Sequence, residues 1–222
     1  MDFAPLIQTV AMYAIPVLFS ITLHEAAHAY AAARLGDDTA KAAGRMTINP
    51  LQHIDPIGTV VLPLMLYVVT GGEFLFGYAK PVPVRFDRLR HPEQDMVWVA
   101  LAGPMANLLQ ALCWSCLFFL LRGWGVEESF WTGMARGGVL VNVAMFAFNL
   151  FPLPPLDGGR VLAGVLPRPW AQGLARIEPW GFVIVLALVL TEFMSRYWML
   201  PLMRWTMHAL TSSTSWLFVL VH

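Results

Sequence analysis

The stretch Met96 to Leu121 constrains this chain most: it runs 26 residues without one formal charge. A membrane-spanning helix needs roughly 20 mostly apolar residues, so this run is long enough to cross a bilayer. Composition extends the same argument to the whole chain. Of 222 residues 58% are hydrophobic and 13% charged, whereas soluble domains carry about 25% charge. Nine Trp and 14 Phe suit rings that face lipid or sit at its interface. The third run, Met96 to Leu121, has five companions: Pro5 to Ala33, Pro56 to Gly72, Gly137 to Leu156, Pro179 to Ser195 and Tyr197 to Val221. The expected fold is therefore an all-α integral membrane protein of about six transmembrane helices. Residues 1–222 form one multi-pass domain in the cell membrane. The N-terminus lacks a basic region ahead of its apolar stretch, so it reads as a retained first span rather than a cleaved signal.

The connections between the first spans hold much of the Pro, Gly and charge. Gly44-Arg45-Met46-Thr47-Ile48 and Tyr78-Ala79-Lys80-Pro81-Val82-Pro83-Val84 look extended. They predict short re-entrant or membrane-associated β-strands, the second confined to a sheet edge because Pro81 and Pro83 cannot donate ladder hydrogen bonds. Formal net charge is zero, from 14 basic and 14 acidic residues, which gives no reason to expect nucleic acid; no nucleotide is expected either. The lipid bilayer is an expected partner, and a second copy of the chain is left open. Basic residues are spread over several loops, so the positive-inside rule assigns no orientation. Cys113-Trp114-Ser115-Cys116 lacks the βαβ setting of a redox motif and reads as packed thiols in an apolar run.

The chemistry is concentrated in Leu23-His24-Glu25-Ala26-Ala27-His28. Two histidines four residues apart lie one turn apart on one helix face, where both imidazoles can reach one metal ion. The intervening Glu25 then lies beside the metal-bound water as a candidate general base. Ionisable groups inside an apolar helix are expensive unless paired or liganded. A structural His/Glu cluster hydrogen-bonded inside the bundle is the alternative. A catalytic zinc keeps three protein ligands and one open position, so a third ligand must come from elsewhere. Acidic residues bordering the apolar runs are few. Asp157 follows the fourth run in Asn149-Leu150-Phe151-Pro152-Leu153-Pro154-Pro155-Leu156-Asp157-Gly158-Gly159-Arg160. Prolines break the helix there, and irregular backbone is tolerated at membrane depth only where protein or a cavity surrounds it. By itself Asp157 reads first as a turn residue or helix cap and only second as a ligand.

The pairing of H-E-x-x-H at His24 to His28 with N-x-x-P-x-P-x-x-D-G from Asn149 to Gly158 resembles the site-2 protease family of intramembrane zinc peptidases. The likeness extends to the segments from Asn49 to Gly58 and Gly77 to Val84, and to Ala102-Gly103-Pro104-Met105-Ala106-Asn107. It covers residues 20 to 165 in the family's order, and it is to the compact branch without a PDZ or CBS domain. The resemblance implies one zinc ion per chain held by His24, His28 and Asp157, with Glu25 as general base. Asn149 matches a position that assists near the scissile carbonyl, where a neutral amide donor suits an oxyanion; an interhelical hydrogen bond is its other reading. Gly103 and Asn107 fit close helix packing, with Asn107 also a candidate for substrate contact. His53 and His91 lie in polar loops and read as structural.

The implied activity is hydrolysis of peptide bonds within or near the transmembrane segments of other membrane proteins, either to release a regulator or to clear a signal-peptide remnant. The implied partner is a transmembrane protein substrate, and the implied active site lies toward the cytoplasmic side. An unwound substrate would join the extended segments as an added strand, with Lys80, Pro81 and Val82 as candidate substrate-binding residues. A transporter using buried His, Glu and Asp as an ion path would explain the hydrophobicity but not the motif spacing. An inactive relative that only binds membrane proteins would have no need of Glu25.

Overall fold

Helix α1, Ala4–Arg34, continues through an alanine-rich second half that favours helix and stops at a glycine. Gly36 takes a φ of +114°, the N–H of Asp37 reaches Ala32 O at 2.9 Å and that of Gly36 reaches Ala33 O at 3.3 Å. These two bonds are a Schellman cap, which requires a left-handed residue that glycine supplies without strain. The same device recurs at once. Helix α2, Thr39–Ala42, ends on Gly44 at φ +67°, with Arg45 N bonded to Ala40 O at 2.8 Å and Gly44 N to Lys41 O at 3.0 Å.

The computed structural model describes residues 4–61, 65 and 80–221. Beyond α2 it contains α3 (Pro92–Gly123), α4 (Ser129–Asn149), α5 (Asp157–Val165), α6 (Arg168–Leu190), α7 (Leu200–Thr214) and α8 (Trp216–Val221). Short 3₁₀ or π turns lie at Pro50–Gln52, Pro56–Val61, Phe86–Arg88 and Ser195–Met199. Helix α3 starts with Pro92 in its first turn followed by Glu93 and Asp95, residues that match the exposed N–H groups and positive end of a helix. The Asp95 carboxylate also accepts from His91 N at 2.8 Å.

Helices α1, α3 and α4 pack against one another in a triangle, with α5 laid against α3. Their contact stripes are built from small residues: Ala26, Ala29 and Ala32 on α1, Ala100, Gly103 and Ala111 on α3, Ala135, Gly138 and Ala147 on α4. Small side chains let helix backbones approach closely where lipid removes the hydrophobic drive between helices. The large apolar side chains turn outward instead, as Trp98, Leu109, Trp180, Phe182 and Val183 do. Helices α7 and α8 close over the far half of α3, tied by Ser115 to Thr214 at 2.7 Å.

The expected strands do not form: among the described residues there is no β-strand. Gly44 to Ile48 does not pair because Gly44 and Arg45 complete the cap of α2. Lys80 to Val84 is extended, but side chains rather than a ladder take most of its bonds. Arg45 Nη2 donates to Lys80 O at 2.8 Å, Val82 N donates to Glu25 Oε2 at 2.8 Å and Arg85 N donates to Asp37 Oδ2 at 2.6 Å. Lys80 N bonds the loop carbonyl of His53 at 3.0 Å. The Tyr78-Ala79 start of this segment lies outside the described residues.

The count of spans is also corrected. Three described helices are long and apolar enough to cross a membrane, Ile7–Arg34, Pro92–Gly123 and Arg168–Leu190, against about six expected. Helix α4 ends at Asn149 instead of running on to Leu156, since Pro152, Pro154 and Pro155 cannot extend it. The run from Tyr197 to Val221 is divided among a π turn, α7 and α8. Most of the run from Pro56 to Gly72 lies outside the described residues.

Candidate metal centre

One turn of α1 and the first turn of α5 meet at a buried point. His24 and His28, exposed by 5% and 8%, face Asp157, exposed by 6%. Their spacing on α1 sets the two rings edge to face with centroids 4.7 Å apart. Each Nδ1 is already engaged. His28 Nδ1 lies 2.7 Å from Val99 O, and a carbonyl can only accept, so that nitrogen carries the proton. His24 Nδ1 lies 2.7 Å from Asn107 Oδ1, another acceptor. With neutral rings both Nε2 atoms are therefore bare.

Those bare atoms converge. The two Nε2 atoms are 3.1 Å apart, and each lies 3.3 Å from Asp157 Oδ2. Asp157 Oδ2 is buried and has no hydrogen-bond partner. Three lone pairs aimed at one another without a proton between them repel, and a cation among them removes the conflict. Tetrahedral zinc with bonds of about 2.0–2.1 Å holds its ligand atoms about 3.3–3.4 Å apart, which is the size of this triangle. The donor set of two imidazoles and one carboxylate is also that of a catalytic zinc with one open position. Among the described residues it is the group of His, Cys, Asp and Glu that meets the geometry of a metal site.

The backbone around the triangle explains the glycines. A Cβ on Gly103 would stand 2.3 Å from His28 Nε2 and 2.6 Å from His24 Cε1, so α3 passes the imidazoles at a distance that only glycine permits. Beside it Pro104 interrupts the backbone ladder of α3. Asp157 opens α5, where the helix dipole favours a carboxylate. The loop before it folds down onto Gly158 and Gly159: a Cβ on Gly158 would lie 2.2 Å from Leu150 O, and one on Gly159 would lie 2.1 Å from Pro154 N. This tight return carries the chain from the end of α4 back to the triangle.

Glu25 is half-buried and points to the extended segment, where its Oε2 accepts from Val82 N. Val82 is 9% exposed and packs on Ala29 and Ala40, while Lys80 and Pro81 are exposed. Asp37 anchors the far end of this segment. Its Oδ1 accepts from Thr39 N at 3.0 Å and from Thr39 Oγ1, and its Oδ2 from Arg85 N. Burial pushes the Asp37 carboxyl up, but the Thr39 hydroxyl and the Arg85 and Thr39 N–H groups, with Arg88 nearby, hold it below the usual aspartate range.

The sequence-derived candidates thus divide. His24, His28 and Asp157 come together, with Glu25 beside them. Asn149, the last residue of α4, turns its Nδ2 back to Met145 O at 3.0 Å. Asn107 is fully buried and is bonded to His24 rather than presented at a surface. His53 is buried with Nε2 on Thr47 O at 2.9 Å, and His91 stands at the N-cap position of α3 without a side-chain cap bond; neither joins the triangle. Cys113 and Cys116 are unpaired. Sequence reasoning missed the Val99 carbonyl, Asp37 and Asn142. The last is a buried amide in an apolar run, and intramembrane polar residues are a signal in themselves.

Known proteins give the same direction. The chain is 38% identical over 182 residues to "Putative zinc metalloprotease YwhC" of Bacillus subtilis, covering 80% of this chain and 79% of that protein. It is 35% identical over 190 residues to "Putative zinc metalloprotease Rip2" of Mycolicibacterium smegmatis, covering 85% of this chain and 70% of that one. Over a shorter stretch of 103 residues it is 30% identical to "Putative zinc metalloprotease MJ0611" of Methanocaldococcus jannaschii, 46% of this chain and 50% of that protein. No family model matches the chain, and no solved structure matches it.

Proposed function

Because the chain belongs to the family of zinc metalloproteases represented by YwhC and Rip2, and carries the motifs of the site-2 proteases, we propose that it is an intramembrane zinc metalloprotease. Its substrates are the transmembrane segments of other membrane proteins, and its place is the cell membrane with the active site toward the cytoplasm. The observation that carries this reading is the convergence of His24 and His28, on a helix long and apolar enough to cross a membrane, with Asp157 at the start of the 9-residue α5. A soluble hydrolase would have no reason to place both metal-binding histidines on such a helix.

In this reading His24, His28 and Asp157 hold the zinc ion. Bound there, zinc supplies a Lewis acid that polarises the scissile carbonyl and acidifies water to a pKa of roughly 7. Glu25, next to His24 in sequence, accepts the proton from the attacking water and returns it to the leaving amine. The second hydrogen of the Asn149 amide is left over from its bond to Met145 O, and it serves the oxygen on which negative charge develops. A peptide bond inside a helix is shielded by its own hydrogen bonds, so the substrate must unwind first. Lys80, Pro81 and Val82 receive the unwound chain, and Glu25 exchanges Val82 N for its catalytic partner.

The test is cleavage of a panel of single-span substrates by the purified protein in detergent, beside Glu25→Gln and a chelated control. Cleavage by the zinc-loaded wild type alone is expected. Metal or proton flux through vesicles without any proteolysis would replace this reading with a transporter.

A further inference from the structure

We infer that Asn142 and Asn107 form a one-way hydrogen-bond chain that fixes the tautomer and ring orientation of His24, making both amides positioning residues of the metal centre. The inference rests on the reading that His24 holds the metal. The chain starts at a group that cannot change its role: Gly138 O is a backbone carbonyl and only accepts. Asn142 Nδ2 donates to it at 2.9 Å, so Asn142 Oδ1 must face the other way. There it accepts from Asn107 Nδ2 at 3.0 Å. The Asn107 Nδ2 group also lies 3.2 Å from Ser20 O and 2.9 Å from Ser20 Oγ, and Ser20 Oγ spends its own hydrogen on Met145 Sδ at 3.0 Å.

Every neighbour of Asn107 Nδ2 is thus an acceptor. Turning the amide over would set Asn107 Oδ1 against Ser20 O and Asn142 Oδ1 with no hydrogen between them, among side chains that are fully buried. Asn107 Oδ1 is therefore locked toward His24 Nδ1 at 2.7 Å, and it can only accept. His24 must carry its proton on Nδ1 and present Nε2 bare to the triangle. Asn107, Asn142 and Ser20 are all fully buried, one each on α3, α4 and α1. The chain ties the three core helices together at the residue that binds the metal. A partner on the second nitrogen of a metal-binding histidine typically governs 10–100-fold of metal affinity.

The experiment measures zinc affinity of the full-length protein in detergent by competition with a chromophoric chelator. The variants are His24→Ala, Asn107→Leu, Asn107→Asp, Asn142→Leu, and Ser115→Ala as a buried polar control on α3 away from the site. Asn107→Leu is expected to weaken zinc about 10–100-fold. Asn107→Asp keeps an acceptor for His24 Nδ1 but sets its second oxygen against Ser20 O and Asn142 Oδ1, so it should lose less zinc affinity than Asn107→Leu without matching wild type. Asn142→Leu frees Asn107 to turn and should weaken zinc by several-fold, and Ser115→Ala should leave it unchanged. Equal losses in Asn107→Asp and Asn107→Leu would overturn the inference in favour of simple packing. So would wild-type affinity in Asn107→Leu or, if that variant does not fold, in Asn142→Leu. Wild-type affinity in His24→Ala is the separate outcome that removes the metal reading itself.

Discussion

At the scale of single residues, the division of labour between His24, Glu25 and His28 is testable without disturbing the fold. Glu25→Gln preserves shape and the bond from Val82 N. It should bind one zinc per chain and lose cleavage by about 10²–10⁴-fold, the usual contribution of a positioned base; metal analysis and single-turnover cleavage read the two effects separately. Gly103→Ala is a second probe. Its methyl would stand 2.3 Å from His28 Nε2, so the imidazoles must shift. The expected result is a loss of zinc affinity of at least tenfold with helix content retained, read by chelator competition and circular dichroism. The histidines were legible in sequence because their relation is local, fixed by the helical repeat. Asp157 was not: spacing alone left it a cap or a turn, and resemblance to a family was needed to pair it with residues far away in the chain. The Val99 carbonyl was invisible because its meaning exists only once α3 lies beside α1, and Asn142, though a polar residue in an apolar run, did not reveal its partners.

At the scale of elements, glycine decides where chain direction changes. Gly36 and Gly44 each end a helix in the left-handed conformation, and the second was misread as the entrance to a strand. The sequence pattern of a short capped helix and that of a turn before a strand are alike over five residues; the α2 cap bonds distinguish them. The segment from Tyr78 to Val84 was read as an edge strand, and its described part from Lys80 on pairs with no strand, because prolines that forbid a ladder do not prevent side chains from taking its place. Asp37 is the anchor of that segment, and its folded pKa is depressed. A depressed carboxylate contributes stability above its unfolded value of about 3.9 and loses it as pH falls through the folded value. Protection of the Arg85 amide against hydrogen exchange, corrected for intrinsic rate, should therefore hold from neutrality to about pH 4 and fall below it. Asp37→Asn should give lower protection with no acid limb.

At the scale of the molecule, composition announced a membrane protein, and three helices among the described residues are long and apolar enough to cross a membrane. The site sits where the three core helices meet α5, so metal binding and packing of the core are coupled. Anything that binds only the folded state stabilises it, by about 2.7 kcal/mol at a hundredfold excess over Kd. Zinc removal by a chelator should lower Tm by several degrees and zinc addition should restore it, whereas Asp157→Ala should melt alike in both conditions. An unchanged Tm in the wild type would mean that the triangle holds no ion of consequence.

The most direct measurement is to place wild type and Glu25→Gln in liposomes with single-span substrates and map the cut by mass spectrometry. Zinc-dependent cleavage by wild type alone, at a bond inside or bordering the substrate's apolar span, is the predicted result. Cleavage confined to water-exposed loops, or equal cleavage by Glu25→Gln, would contradict the assignment of an intramembrane metalloprotease.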